Sequence, residues 1–256
     1  MKRKLGLRRA TFYLLVGFLL LADGLDLISH LFFTDIELPH RIHTVGHTAI
    51  SGAVLAAMLP QLVAPRRFLA AVQLLIVLGL VGTIAELLSH RFGGFPEVFL
   101  ALGIAIGLLH PLRRQIFRPQ IALDRALLAV ACAGAIPLLW FSWEEAATQR
   151  HQLDPYHSNV GHHELMATLA ALAVAWAALA ALRTPGWQLP AWAAGLTVAS
   201  YGAASLAYQG YSSAATSGWA TTALIGGIGF IGLAHRPKKA AHDHTVASPP
   251  APATRA

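Results

Sequence analysis

Residues 10–33 read ATFYLLVGFLLLADGLDLISHLFF, an apolar run broken only by two aspartates and one histidine. A helix of this length and composition spans the hydrocarbon core of a bilayer. Seven further apolar blocks follow at residues 43–63, 68–90, 95–110, 126–143, 163–182, 189–208 and 218–234. We therefore predict an all-α fold: a polytopic integral membrane bundle of about eight transmembrane helices over residues 1–237. Residues 238–256, rich in Pro, Ala, Thr and His, are predicted to form a disordered cytoplasmic tail.

The composition agrees with a membrane protein and excludes several functional classes. Of the 256 residues, 55% are hydrophobic and only 12% are charged, whereas soluble domains carry about 25% charged residues. The single cysteine, Cys132, excludes a disulfide framework and any multi-cysteine metal site. The sequence has no Walker motif, no G-x-S-x-G, no H-E-x-x-H and no Gly-rich dinucleotide turn. It therefore lacks the signatures of the enzyme classes that these motifs mark.

Basic residues are distributed unevenly between the two sides of the predicted bundle. Sixteen of the 19 Lys and Arg residues fall in the N-terminus, the even-numbered loops and the C-terminus, and only Arg41, Arg91 and Arg150 fall on the opposite side. Short loops rich in Lys and Arg stay in the cytoplasm. We therefore predict a multi-pass protein of the inner (plasma) membrane with both termini cytoplasmic. The net charge of +7 follows from this topology, so the expected partners are the bilayer and, as an open alternative, other membrane subunits, but no nucleic acid.

Acidic residues and histidines gather on the predicted outer side, where ten of 12 carboxylates and nine of 13 histidines lie. A carboxylate at membrane depth normally pairs with a cation, binds a metal or lines a water-filled cavity. Imidazole and carboxylate together suit transition metals. We predict a copper or zinc site on the outer face. Its candidate ligands are Asp26, His30, His40, His43, His47, Glu86, His90, His157, His162 and His163.

The spacing of these residues predicts where they meet. Asp26 and His30 lie one helical turn apart near the end of the first block, and His43 and His47 lie one turn apart at the start of the second. In a helical hairpin these two ends are neighbours, so Asp26 and His30 can converge with His43 or with His40 from the connecting loop. A structural ion pair, with Arg41 nearby, is the alternative to a metal.

Two short internal sequence repeats add to the candidate metal ligands. The Asp-x3-His pattern recurs sixty residues later as Glu86-x3-His90, and the tripeptide VGH that ends at His47 recurs ending at His162. The longest outer loop, residues 144–161, adds further carboxylates and histidines, including His157. These repeats predict that the side chains lie close together in one region on the outer side of the membrane.

The pattern Asp26-x3-His30-x12-His43 resembles the metal-binding signature of the C subunit of copper membrane monooxygenases, the methane and ammonia oxidisers. His40, which follows a proline, matches that signature by its context. The resemblance covers about 35 of the 256 residues. It implies a membrane copper or zinc site formed by Asp26, His30 and His43 or His40. It does not imply oxygenase activity, because that family works as a complex of several different chains.

Four functions follow from these expectations, and no catalytic residue is predicted. The leading one is a metal-binding membrane protein that is a subunit of, or an accessory to, a membrane oxidoreductase. The open alternatives are a metal or proton-coupled permease, a haem-b protein ligated by histidines such as His47 and His162, and a membrane metallohydrolase. Transport would need polar residues that continue towards the inner face, and the sequence offers few.

Overall fold

The computed structural model describes residues 2–32, 40–91 and 94–236, with side chains from residue 6 onward. Over these ranges the fold is helical and contains no strand, so the all-α prediction is confirmed. The helices are α1 (Lys2–Phe32), α2 (Arg41–Val63), α3 (Leu69–Ser89), α4 (Pro96–Leu109), α5 (Arg113–Phe117), α6 (Arg125–His151), α7 (Pro155–Ser158), α8 (His162–Ala181), α9 (Gln188–Ala207) and α10 (Ser217–Ala234). The predicted tail at 238–256, like Asp35 and Glu37, lies outside the described residues.

Each of the eight apolar blocks forms a helix. Within the described residues, α1, α2, α3, α6, α8 and α10 are long and apolar enough to cross a membrane. Helix α4, with 14 residues, is a shorter apolar helix, and α9 is not among the six. The chain thus forms a membrane-type helical bundle, whereas the number of eight crossings and the cytoplasmic location of the termini remain predictions.

Hydrogen bonds at one end of the bundle, the basic end, join the start of α1 to the end of α4 and the start of α6 to the ends of α8 and α10. Arg8 donates to the carbonyl oxygens of Leu109 (3.0 Å) and His110 (2.5 Å) after α4. Asp124, at the start of α6, accepts from Arg183 (2.5 Å) and Arg236 (2.8 Å), which follow α8 and α10. The basic end therefore holds most of the described arginines.

Asp124 also caps α6, accepting hydrogen bonds from the backbone N–H groups of Ala126 and Leu127, both at 3.2 Å. This is the usual role of an aspartate at a helix start. Burial acts to raise the pKa of Asp124, but the hydrogen bonds from Arg183 and Leu127 and the nearby positive charge outweigh it and lower the pKa to about 2. Asp124 is therefore an anion that holds three helix termini together.

Helices α3 and α8 lie in the interior of the bundle. The buried core brings together Phe12 and Val16 of α1, Leu75 of α3 and Trp176 of α8. The outward faces of α1 and α6 carry exposed apolar residues such as Ile136, which suit contact with lipid. Because α8 is enclosed by its neighbours, the polar residues of its first turn, at the end opposite the basic end, are also held inside the bundle.

Candidate metal centre

Five histidines meet at the end of the bundle opposite the basic end. His40 and His43 come from the start of α2, His157 from α7, and His162 and His163 from the start of α8. The ring centroids lie 4.4 Å apart for His43 and His162, 4.8 Å for His40 and His162, and 5.1 Å for His40 and His157. We name these five residues the central histidine cluster. His43, His157 and His163 are at most 5% exposed, so the cluster is largely shielded from solvent.

Local backbone geometry brings the α8 histidines into this position. Gly161 precedes α8 with φ of +79°, a left-handed conformation that favours glycine. A side chain there would also collide with the guanidinium of Arg91. The chain therefore turns sharply at Gly161, and His162 and His163 begin the helix directly opposite α2.

Within the cluster, His40, His157 and His162 form a set with metal-ligand spacing. One potential ligand atom from each residue lies within 4.8 Å of the other two. A second set, Asp154, His157 and His163, meets the same criterion and shares His157. Because each of the three histidines offers one such atom, the first set can supply three imidazole ligands to a metal ion.

Carboxylates fix the orientation of two rings. His157 Nδ1 lies 2.6 Å from Asp154 Oδ2, and His163 Nδ1 lies 2.7 Å from Glu145 Oε2. Because an ionised carboxylate only accepts hydrogen bonds, each Nδ1 is the donor. His157 Nε2 then carries the lone pair, and within the described residues this buried atom has no hydrogen-bond partner. Carboxylate–imidazole pairs of this kind orient the histidine ligands of metal sites.

Asp154 is held in its ionised form. Burial acts to raise its pKa, but the hydrogen bonds from His157 and Ser212 outweigh that effect and lower the pKa to about 2. The Ser212 hydroxyl donates to Asp154 Oδ2 at 2.9 Å. Asp154 lies just before α7, outside the candidate membrane spans. An anion therefore stands beside His157, where it strengthens the ring as a metal ligand.

Ser213 connects His43 to the same network. Its hydroxyl donates to Glu145 Oε2 at 2.9 Å and lies 3.2 Å from His43 Nε2. Since the hydroxyl proton is used by Glu145, His43 Nε2 must donate to the serine oxygen. This leaves the lone pair on His43 Nδ1, a buried atom that has no partner among the described residues. His43 can thus serve as a further ligand beside the three-histidine set.

A separate group forms where α1 ends beside α2. Asp26, His30 and His47 each offer an atom within 4.8 Å of the others, and the His30 and His47 rings stack with centroids 4.5 Å apart. Ser51 donates to Asp26 Oδ2 at 3.0 Å. The side chains of Asp26 and His30 are 44% and 26% exposed, more than those of the central cluster. This group can hold a cation, but it is less enclosed.

The structure groups the predicted metal ligands differently from the grouping that the monooxygenase resemblance implies. His47, and not His43 or His40, joins Asp26 and His30. His43 lies one turn nearer the start of α2, where it contacts α7 and α8 instead. The monooxygenase-like combination Asp26, His30 and His43 is therefore not brought together as one of the three groups found within the described residues.

Glu86 and His90 have different surroundings. Glu86 is buried and lines a cavity together with Asp26, whereas His90 is exposed. His90 follows the last turn of α3 with φ of +54°, so it is not on the helix face of Glu86. It belongs to none of the three groups that the described residues form. The two repeated pairs thus differ in geometry, because α1 continues through His30 while α3 ends before His90.

The histidine-rich end can coordinate a borderline or soft divalent metal through imidazole nitrogens, with carboxylates behind the ligands. Such a donor set suits copper and zinc. The uncharged Ser212 and Ser213, which lie between α9 and α10, complete the network although no sequence motif marks them. Comparison of the chain with protein-family models, curated proteins and solved structures finds no match.

Proposed function

We propose that the chain is an integral membrane metal-binding protein that holds one copper or zinc ion at His40, His157 and His162. One observation carries this proposal: three imidazoles from α2, α7 and α8 offer ligand atoms within 4.8 Å of one another. Asp154 orients one of these rings by a 2.6 Å hydrogen bond and leaves its buried Nε2 without a partner among the described residues. His43 is the nearest further ligand.

Electrostatics favours a metal over a cluster of protonated histidines. Five imidazolium rings at these separations would repel one another strongly in a site largely shielded from water. Neutral imidazoles avoid the repulsion, and the neutral ring is the form that binds metals. A bound cation also balances the carboxylates of Asp154 and Glu145, which lie behind the rings.

The surroundings of the cluster favour a fixed metal centre over a transport path. From residue 169 to 181 the buried residues of α8 are Leu, Ala and Trp, and from residue 74 to 85 those of α3 are Leu, Gly and Ala. Over these residue ranges the two interior helices therefore carry no buried polar side chain. A permease would need polar groups that continue towards the basic end. The stacked rings of His43 and His162 also leave no room for a porphyrin between these two residues. Haem ligation by His47 and His162 stays a prediction.

The role that we propose for this centre is that of a subunit of, or an accessory to, a membrane oxidoreductase. Copper would supply one-electron chemistry, whereas zinc would restrict the site to a structural or hydrolytic role. We further propose that the centre faces the outer side of the inner membrane. Support for that orientation comes from the sixteen-to-three distribution of basic residues.

Metal quantification of the purified full-length protein tests this proposal. The wild type should contain about one copper or zinc ion per chain. His162→Ala should lower the metal content about 10-fold or more, since loss of a ligand costs at least as much as loss of its supporting partner. His151→Ala is the matched control, because His151 is an exposed histidine outside the three groups found in the described residues.

The same assay separates the central cluster from the Asp26–His30–His47 group. His30→Ala should leave the metal content close to that of the wild type. A wild type that binds no metal, or equal losses in His162→Ala and His151→Ala, would contradict the proposal. Loss of metal in His30→Ala alone would move the site to the Asp26–His30–His47 group.

A further inference from the structure

A cavity of about 510 Å³, lined in part by Asp26 and His47, lies between α1, α2, α3, α4 and the start of α8. Much of its wall is apolar, with Phe18 and Leu19 on one side and Phe99 and Leu102 on the other. This volume falls in the range of small-molecule sites, about 300–1,000 Å³, which are mostly apolar with a few polar groups. A single metal ion would fill a small part of it.

The polar part of the wall is strongly acidic. Four carboxylates line the cavity, from Asp23 and Asp26 of α1, Glu86 of α3 and Glu164 of α8, against one guanidinium, that of Arg91. Arg91 Nη1 lies 3.7 Å from Glu164 Oε2 and so compensates that carboxylate. More negative than positive charge therefore faces the same enclosed space.

Two of these carboxylates have buried oxygens without partners. Asp23 is 6% exposed and Glu86 is 2% exposed. Asp23 Oδ2 and Glu86 Oε2 have no hydrogen-bond partner within the described residues. Glu86 shares a side-chain hydrogen bond with Glu97 and accepts one from the backbone of Gly94, and the nearby Glu164 adds negative charge. Because a charge at membrane depth costs several kcal/mol unless it is compensated, these carboxyl groups either hold a proton or face a cation, and a positively charged occupant stabilises their ionised form.

We infer that this cavity binds a small organic cation, a protonated amine whose charged group is held by the Asp23 and Glu86 carboxylates. Its alkyl or aryl body packs against the apolar wall formed by residues such as Phe18 and Phe99. The volume and the apolar wall select an organic molecule over a bare ion, and the two carboxylate oxygens without partners among the described residues select a cation over a neutral molecule or a lipid tail. This site is separate from the three-histidine set and does not depend on the metal.

Arg91 sits at the edge of the cavity, where it competes with the ligand for negative charge. Its guanidinium pairs with Glu164 and packs against Gly161, at which any side chain would collide with it. Removal of this charge leaves Glu164 free to attract the ligand. The affinity for an amine should therefore rise when Arg91 is neutralised and fall when Asp23 or Glu86 is neutralised.

Binding of n-hexylammonium to the full-length protein in lipid nanodiscs, with empty nanodiscs as reference, tests this inference. We expect saturable binding that Glu86→Gln and Asp23→Asn each weaken about 10-fold or more, since a hydrogen bond to a charged group contributes roughly 1.5–3 kcal/mol. Arg91→Gln should tighten binding. Glu144→Gln, which changes an exposed carboxylate outside the cavity, should leave it unchanged.

Two companion measurements keep the outcome unambiguous. The ligand-free Glu86→Gln protein should be at least as resistant to thermal unfolding as the wild type, because an uncompensated carboxylate has been removed, and its metal content should be unchanged. The inference is overturned if 1-hexanol binds as tightly as hexylammonium, which marks an apolar or lipid-filled cavity. It is also overturned if Ca²⁺ or Mn²⁺ binds through Asp23 and Glu86 while hexylammonium does not, or if Glu86→Gln lowers the unfolding temperature.

Discussion

At the scale of single residues, hydrogen bonds to carboxylates and hydroxyls decide which nitrogen of each histidine is available to a metal. Asp154 engages His157 through Nδ1, and Ser213 engages His43 through Nε2. The available atoms are therefore His157 Nε2 and His43 Nδ1, both buried. The order of these partners in the sequence does not reveal this choice, because it depends on the rotation of each ring.

Asp154→Asn tests the role of the orienting carboxylate. The amide is nearly isosteric but neutral, so it keeps the shape of the site while it removes the negative charge behind His157. We expect the metal affinity to fall by about 10–100-fold, the usual effect of losing such a partner. Competition with a chelator of known affinity measures this change. An affinity equal to that of the wild type would show that Asp154 is not part of a metal site.

The candidate residues could be selected from the sequence by type and by side of the membrane, but their grouping could not. Asp26 and His30 meet as their one-turn spacing predicts. Whether His43 or His47 completes that group depends on how α2 is rotated against α1 and α8, which the sequence pattern leaves open. Glu145 reaches His163 because α6 continues beyond residue 143, and the apolar pattern of the sequence does not predict that continuation.

At the scale of helices, the apolar blocks predict the long elements well because lipid-facing and core-facing residues are both apolar. The helix ends are less well predicted where polar residues continue the helix. Helix α6 extends to His151, eight residues beyond the predicted block that ends at 143. The short helices α5 and α7 lie in connections that have no apolar signal, although α7 carries His157.

Helix packing between α9 and α10 provides a matched pair of adjacent glycines. A Cβ at Gly227 would lie 2.6 Å from the backbone nitrogen of Ala199 and would also collide with the carbonyl oxygen of Gly195. A Cβ at Gly226 would meet no atom of the described residues within 4 Å. The run of small residues in α10 therefore allows close approach of the two helices on one face only.

Gly227→Ala should lower the free energy of unfolding by about 1–3 kcal/mol, the typical cost of overpacking a tight contact. Gly226→Ala should leave stability unchanged or raise it by up to about 1 kcal/mol, since alanine favours helix over glycine. Unfolding of the two variants in the same detergent or lipid measures the difference. Equal stabilities would show that α9 and α10 do not pack in this way.

At the scale of the whole molecule, the two ends of the bundle differ in charge. Arg8, Arg183 and Arg236 meet Asp124 or backbone carbonyls at the basic end, whereas histidines and carboxylates occupy the other end. Among the described residues, six helices are long and apolar enough to cross a membrane between these ends. Eight crossings, with both termini on the basic side, remain a prediction from the sequence.

Reporter fusions test the topology that this arrangement suggests. Because the positive-inside rule keeps Lys- and Arg-rich loops in the cytoplasm, a reporter at Gln149, near the end of α6, should be located outside the cytoplasm. A reporter at Arg183, after α8, should be cytoplasmic and serves as the control. A cytoplasmic location for Gln149 would reverse the orientation and place the histidine-rich end inside the cell.

X-ray absorption spectroscopy of the metal-loaded protein tests the central claim most directly, because it reports the atoms bound to the metal. For a zinc-loaded sample we expect a first shell of nitrogen at about 2.0–2.1 Å with the outer-shell pattern of about three imidazoles, reduced by one ring in His162→Ala. A first shell of oxygen without imidazole scattering, or one dominated by sulfur at about 2.3 Å, would contradict a metal centre at His40, His157 and His162.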